Sequence, residues 1–151
     1  MTGMTLAEAS AHLTTTDARF ELDTANVRGT EYRVFKNAPA HLRALMQASR
    51  AAHGDGQNEY LVYQDERWTY DAFCGDVCKM AHVLQHELGV KQGDRVALAM
   101  RNFPELPILM MAITSIGAVV VFLNALWTSD ELDYALTDSA ASLVFADGPR
   151  F

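Results

Sequence analysis

The sequence predicts an α/β fold in which a parallel sheet is flanked by helices and preceded by a hairpin. Three observations carry that expectation. From Asp94 onward, short apolar runs alternate with helical periods. Upstream, the stretch from Tyr70 to Leu88 places its apolar residues on one helical stripe. Before that stretch, two short strand-like runs flank a polar turn.

Each element follows from local chemistry. Residues 1–37 read as an irregular leader, with a short helix near Leu6–His12. From Pro39 on, Leu42, Leu45 and Met46 fall at helical spacing, and Gly54-Asp55-Gly56 supplies turn chemistry after His53. Tyr60-Leu61-Val62-Tyr63 is strand-like, Gln64-Asp65-Glu66-Arg67 turns it back, and Trp68 begins the second arm of a hairpin. Thr69 caps the long helix, whose inner stripe is Tyr70, Phe73, Val77, Ala81, Leu84 and Leu88. Gly89 ends it.

Asp94 to Met100 is a strand. Pro104 suits the first turn of a helix running to about Ile116, with Glu105 near its positive end. Val119 to Phe122 follows as the most apolar strand, expected at the centre of the sheet. Thr128 and Glu131 form a capping box for a helix that turns Leu132 and Leu136 inward. Ser142 to Ala146 is the third strand. Short connections imply a Rossmann-like βαβαβ unit with right-handed crossovers.

Bulk properties exclude some functions. The chain has 151 residues and net charge −7, with a pI near 5.1. No basic run is present, so nonspecific nucleic-acid binding is disfavoured. The N-terminus lacks the charged and apolar regions of a secretory signal. Cys74 and Cys78 lie four apart on one helix, too parallel for a disulfide, and fit a reducing, cytoplasmic setting. Leu106 to Leu123 carries no charge and sits at the lower edge of membrane-spanning length. Thr114, Ser115 and Gly117 interrupt it, and a helix, turn and strand describe it better.

In parallel sheets, ligands bind beyond the carboxyl ends of the strands. There the sequence places Arg101-Asn102-Phe103, Asn124-Ala125-Leu126 and Asp147. Asn102 and Asn124 are expected to face one crevice. Each amide also has a plainer role, bonding nearby backbone to shape its turn.

Glycine-rich phosphate loops and hydrolase or metalloprotease motifs are absent from the sequence. Cys74, Cys78, His82 and His86 recur every four residues, but each step drifts about 40° around the helix. The four cannot close on one ion and read as two thiols at the core margin and two exposed imidazoles. Asp17, Glu21 and Asp23, and Asp130, Glu131 and Asp133, read as solvated or helix-start charges without partners across the fold. Met100, Met110 and Met111 read as core, and Trp68, Phe103 and Trp127 as packing residues.

Four pieces, in order, resemble the N-terminal part of the AMP-forming acyl-CoA synthetases. They are Trp68–Tyr70, Gly89–Glu105 (GVKQGDRVALAMRNFPE), Gly117–Asn124 (GAVVVFLN) and Ser129–Phe145. Upstream, Arg28–Met46 resembles the leader of some bacterial fatty-acyl members. Phe122 departs from the family, which usually has proline before Leu-Asn. The resemblance implies that 38–151 is an incomplete α/β N-terminal domain of a larger AMP-binding enzyme. It implies a carboxylic acid, ATP, Mg and coenzyme A as reactants of the parent. The family's phosphate loop, its Tyr-Gly-x-Thr-Glu segment, its ribose-binding Asp and its catalytic Lys do not occur in this sequence. No catalytic, cofactor-binding or metal residue is therefore assigned, and the chain alone is expected to be inactive. It is also expected to self-associate through an open sheet edge. The alternatives are a stand-alone, non-catalytic α/β interaction or regulatory module, and a membrane-associated segment.

Overall fold

The computed structural model describes residues 3–148. In it the chain divides into two compact units, one ending at Ala40 and one starting at His41. In the first, α1 (Leu6–Thr16) begins at a capping box. The Thr5 N–H donates to the Glu8 carboxylate at 2.8 Å, and the Glu8 N–H donates to the Thr5 hydroxyl at 3.3 Å. The hydroxyls of Thr14, Thr15 and Thr16 then donate back to the carbonyls of Ser10, Ala11 and His12. Strands β1 (Leu22–Val27) and β2 (Thr30–Phe35) pair antiparallel, with Leu22 opposite Phe35. Arg28 and Gly29, at φ 52° and 87°, make the turn; both are left-handed, as a tight hairpin connection requires.

This corrects the expectation of an irregular leader over 1–37. The helix is longer than Leu6–His12, and a hairpin follows it. Neither rests on buried apolar periodicity, since no residue from 3 to 40 is buried. Three consecutive threonines read against a helix until their hydroxyls find carbonyls one turn back. Arg-Gly is also a weaker turn signal than Asn-Gly.

The second unit opens with α2 (Leu42–Ala52), capped by His41, whose Nδ1 accepts from the Ala44 N–H at 3.0 Å. A short 3-10 turn at Gly54–Gly56 leads to β3 (Glu59–Tyr63), paired antiparallel with β4 (Glu66–Thr69). Only Gln64 and Asp65 lie between the strands, a tighter turn than the four residues expected. Thr69 caps α3 (Tyr70–His86), accepting from the Ala72 N–H at 3.2 Å. Gly56 fits beneath this helix at φ 88°. A Cβ there would lie 2.1 Å from Asp71 Oδ1.

The inner stripe of α3 ends sooner than the sequence suggests. Leu88 lies past the helix and is exposed. Gly89, at φ 68°, reverses the chain, and Val90 takes the buried place instead. Its N–H donates to the Leu84 carbonyl at 2.8 Å.

The sheet contains β5 (Arg95–Ala99), β6 (Val119–Phe122) and β7 (Leu143–Ala146), all parallel, in the order β6-β5-β7. Val96 stands opposite both Val120 and Leu143. Helices α4 (Glu105–Ser115) and α5 (Ser129–Ser139) connect the strands. The α/β expectation therefore holds, but Val119–Phe122 is not the central strand. That place belongs to β5, buried from Val96 to Ala99. Among the described residues β6 has one strand neighbour, and Val119 and Phe122 are exposed. An apolar run measures what a strand is able to bury, not how many neighbours it has.

Side chains of β5 alternate between two clusters. Val96 and Leu98 join Phe73, Val77 and Leu84 of α3 and Leu109, Ala112 and Ile113 of α4. Ala97 and Ala99 join Leu123, with Trp127, Leu132 and Leu136 against them. Met111 is buried, while Met100 and Met110 pack partly buried against the first cluster. Among the described residues no helix is long and apolar enough to cross a membrane.

Candidate functional site

The loops leaving the carboxyl ends of β5 and β6 form one crevice of about 430 Å³. Asn102 and Asn124 both line it, as the topology predicts, with Arg101, Met100, Phe122 and Leu126. Asn124 plays the plainer role as well. Its Oδ1 accepts from the Leu126 N–H at 2.9 Å, folding the loop back on itself.

Asp147, after β7, is buried and reaches the same end of the sheet. It accepts from Arg101 Nε at 2.7 Å and from the Arg101 N–H at 3.4 Å. The guanidinium also lies over the Phe103 ring, 4.8 Å from its centre. Phe103 meets Tyr63 edge-on at 6.0 Å, which ties the β3–β4 hairpin to this loop. The Arg101–Asp147 pair spans 46 residues, so no local pattern announces it. Its signal is topological: both residues follow strands whose ends share one side of a parallel sheet. Phe103 packs as predicted, but with an arginine over its face.

A second, larger groove of about 1090 Å³ runs between α2, α3 and the end of α4. Arg43, Arg50, Cys74, His82, His86 and Ser115 line parts of it. Arg50 forms an ion pair with Asp71, which also accepts from Gln57 Nε2 at 2.9 Å. Arg43 donates to the Ser115 carbonyl at 3.3 Å. Burial pushes the Cys74 thiol above its ordinary pKa, with Arg50 opposing, which disfavours the thiolate form. Cys74 is half-buried and Cys78 exposed.

Among the described residues, no three His, Cys, Asp or Glu side chains gather to hold a metal ion. Of the acidic groups, Glu131 is a helix-start charge as the sequence suggests, while Asp17 and Glu21 have cationic partners. Asp17 pairs with Arg19 at 2.5 Å and Glu21 with Lys36 at 2.6 Å. Glu131 is the capping-box partner of Thr128, whose N–H it accepts at 2.7 Å, and that bond lowers its pKa. Trp68 packs against the core and donates to Asp76 at 3.3 Å.

Comparison with known proteins places this arrangement. A family model described as "AMP-binding enzyme" matches residues 48–150. A long-chain-fatty-acid–CoA ligase of Escherichia coli O6:H1 is 45% identical over 64 residues, covering 42% of this chain and 11% of the ligase. An acetyl-coenzyme A synthetase of Sinorhizobium medicae is 45% identical over 80 residues, covering 47% of this chain and 12% of the synthetase. Among solved structures, the N-terminal domain of FACL13 from Mycobacterium tuberculosis matches with a TM-score of 0.67 and 28% identity. That match covers 72% of this chain and 28% of the domain. The chain thus spans about a tenth of the length of these curated relatives.

Proposed function

The chain belongs to the AMP-binding enzyme family, and from that premise we propose that it supplies the first α/β portion of an ATP-dependent acyl-CoA ligase. The observation that carries the reading is the family match across residues 48–150. The names of the relatives support a CoA ligase within that family.

The reaction has two steps. A carboxylate oxygen attacks the α-phosphate of ATP, forming an acyl-adenylate and releasing pyrophosphate. The thiol of coenzyme A then attacks the acyl carbon and AMP leaves. A fatty acid is the first substrate to test, given the fatty-acid–CoA ligase among the relatives. Two unpaired thiols favour a reducing cytoplasm as the setting.

The residues of this chain do not by themselves fit Mg-ATP. A triphosphate needs positive charge and a backbone cradle. In the crevice the arginine is already committed to Asp147. Residues 38–151 are an incomplete domain on this reading, and the chain alone is inactive. Asn102 and Asn124 shape the rim of the parent's ligand crevice rather than perform chemistry.

The test reads the DNA downstream of codon 151. A frame that continues into a Ser/Gly/Thr-rich loop within a few tens of codons supports the ligase reading. A native stop codon supports the non-catalytic module instead. With purified chain, ATP–pyrophosphate exchange should stay at background with palmitate or acetate; exchange above background overturns the proposed inactivity.

The same reading includes self-association. β6 and β7 each have β5 as sheet neighbour, and Val119, Phe122 and Val144 are exposed on them. Open, apolar edges invite pairing with another copy. Light scattering should show species larger than a monomer, and a monodisperse monomer at high concentration refutes this.

A further inference from the structure

We propose that His82 and His86 form a two-histidine site for a divalent transition-metal ion such as zinc, copper or nickel. The row of Cys74, Cys78, His82 and His86 is too twisted to act as a set of four, but its last two members are brought together. They sit one turn apart on α3, and their ring centres are 4.4 Å apart with planes inclined by 40°. Both side chains are exposed. Among the described residues neither ring makes a hydrogen bond to the protein, so the ring nitrogens remain available as ligands.

Imidazole nitrogens bind zinc at about 2.0–2.1 Å, which puts two such nitrogens on one ion roughly 3 Å apart. Rings already 4.4 Å apart need only small rotations about their broad terminal torsions to reach that spacing. Water fills the remaining coordination positions.

Two features of the surroundings favour a cation here. His86 is the last residue of α3, where the helix dipole presents its negative end. The nearest lysine along the helix, Lys79, has its ammonium held by Asp76 at 3.0 Å, which offsets its charge. Cys78 is one turn before His82 and also exposed, but the helical drift carries it away from His86. The site is therefore the histidine pair without the thiol.

The test is calorimetric titration of the full chain with zinc chloride and, separately, nickel chloride. One ion should bind per chain. Losing an outer-shell partner already costs metal sites on the order of 10–100-fold in affinity, so removing a direct ligand should cost at least tenfold. His82→Ala and His86→Ala should each do so, while Cys78→Ser and His12→Ala leave binding unchanged. Both histidines are exposed, so these variants keep the wild-type circular dichroism. On the unaltered chain, nickel should broaden the imidazole proton resonances of His82 and His86 before those of His12, His41 and His53. No binding at millimolar metal overturns the proposal. So does binding that survives both histidine substitutions or is lost with Cys78→Ser, and so does broadening that begins at another histidine.

Discussion

The two units of this chain are held together by different physics. From residue 3 to Ala40 no side chain is buried, and order comes from groups close in sequence: a capping box, three threonine back-bonds, a two-residue turn and two ion pairs. From His41 onward, Phe73, Leu84, Val96, Leu98 and Ile113 are fully or almost fully buried, and they come from three different elements. Local bonds define shape, but each contributes only about 0.5–1.5 kcal/mol net, against a comparable ordering cost per residue. Burial across elements is what supplies a cooperative core. The difference should show in hydrogen exchange. Isolated two-stranded hairpins are marginal in water. Amides of β1 and β2 should therefore exchange at least roughly a thousandfold faster than those of β5, which follow global opening. Equal protection in both would break the comparison.

The next largest effect belongs to the core. Phe73 is fully buried, touches Tyr60 at 4.6 Å between ring centres and joins the main cluster. Phe73→Ala should cost about 3–5 kcal/mol of unfolding free energy, read by denaturant titration of the fluorescence of Trp68 and Trp127. Exchange of the β1–β2 amides should not change. A loss below about 1 kcal/mol would mean that the cluster is not the cooperative centre of the second unit.

The contrast also explains what was legible in the sequence. The second unit announced itself because burial imposes periodicity: Tyr70, Phe73, Val77 and Leu84 fall on one stripe, and β5 and β6 read as apolar runs. Caps were legible for the same reason, since Thr69 and Thr128-x-x-Glu131 stand at the edges of those periods. In the first unit only the start of α1 is legible, while its last turn and the β1–β2 hairpin are not, because their determinants are polar and local. Thr5-x-x-Glu8 was an available capping-box signal, but no strong apolar stripe followed it. The crevice was half legible. Topology placed Asn102 and Asn124 together, yet the bond from Arg101 to Asp147 depends on where two distant loops meet. Strand order was not legible at all, because the more apolar β6 lies outside β5. Hydrophobicity ranks strands by what they are able to bury, while position in a sheet is decided by connections and by which edges are covered.

A loop residue sharpens the comparison at intermediate size. Gly56 lies in a turn, yet the Asp71 carboxylate leaves no room for a Cβ at its position, and its φ of 88° is one that L side chains rarely adopt. In the second unit even a turn is bound to tertiary contacts. Gly56→Ala should cost about 1–3 kcal/mol. Asp71→Ala removes the close neighbour but not the backbone strain, so the double variant should lose less than the two singles together. Strict additivity would show that strain alone, rather than the approach of Asp71, sets the cost.

The smallest effect tests the first unit on its own terms. The side-chain bond from Arg19 holds the Asp17 carboxyl at a pKa of about 2, helped by the Arg19 N–H. A depressed carboxylate pKa means that the interaction is fully present above the ordinary value, near 3.9. It is lost progressively as pH falls from about 4 through about 2. A carbon-detected titration of the Asp17 carboxyl should therefore show its midpoint near 2. Arg19→Ala should return that midpoint toward the ordinary carboxylate range. Because the pair is local and exposed, neither the substitution nor the titration should move the unfolding midpoint of the second unit at neutral pH. A midpoint near 4 in the unaltered chain would show that the Asp17–Arg19 contact does not persist in water. It would leave the first unit without one of the few polar ties that distinguish it from an unstructured leader.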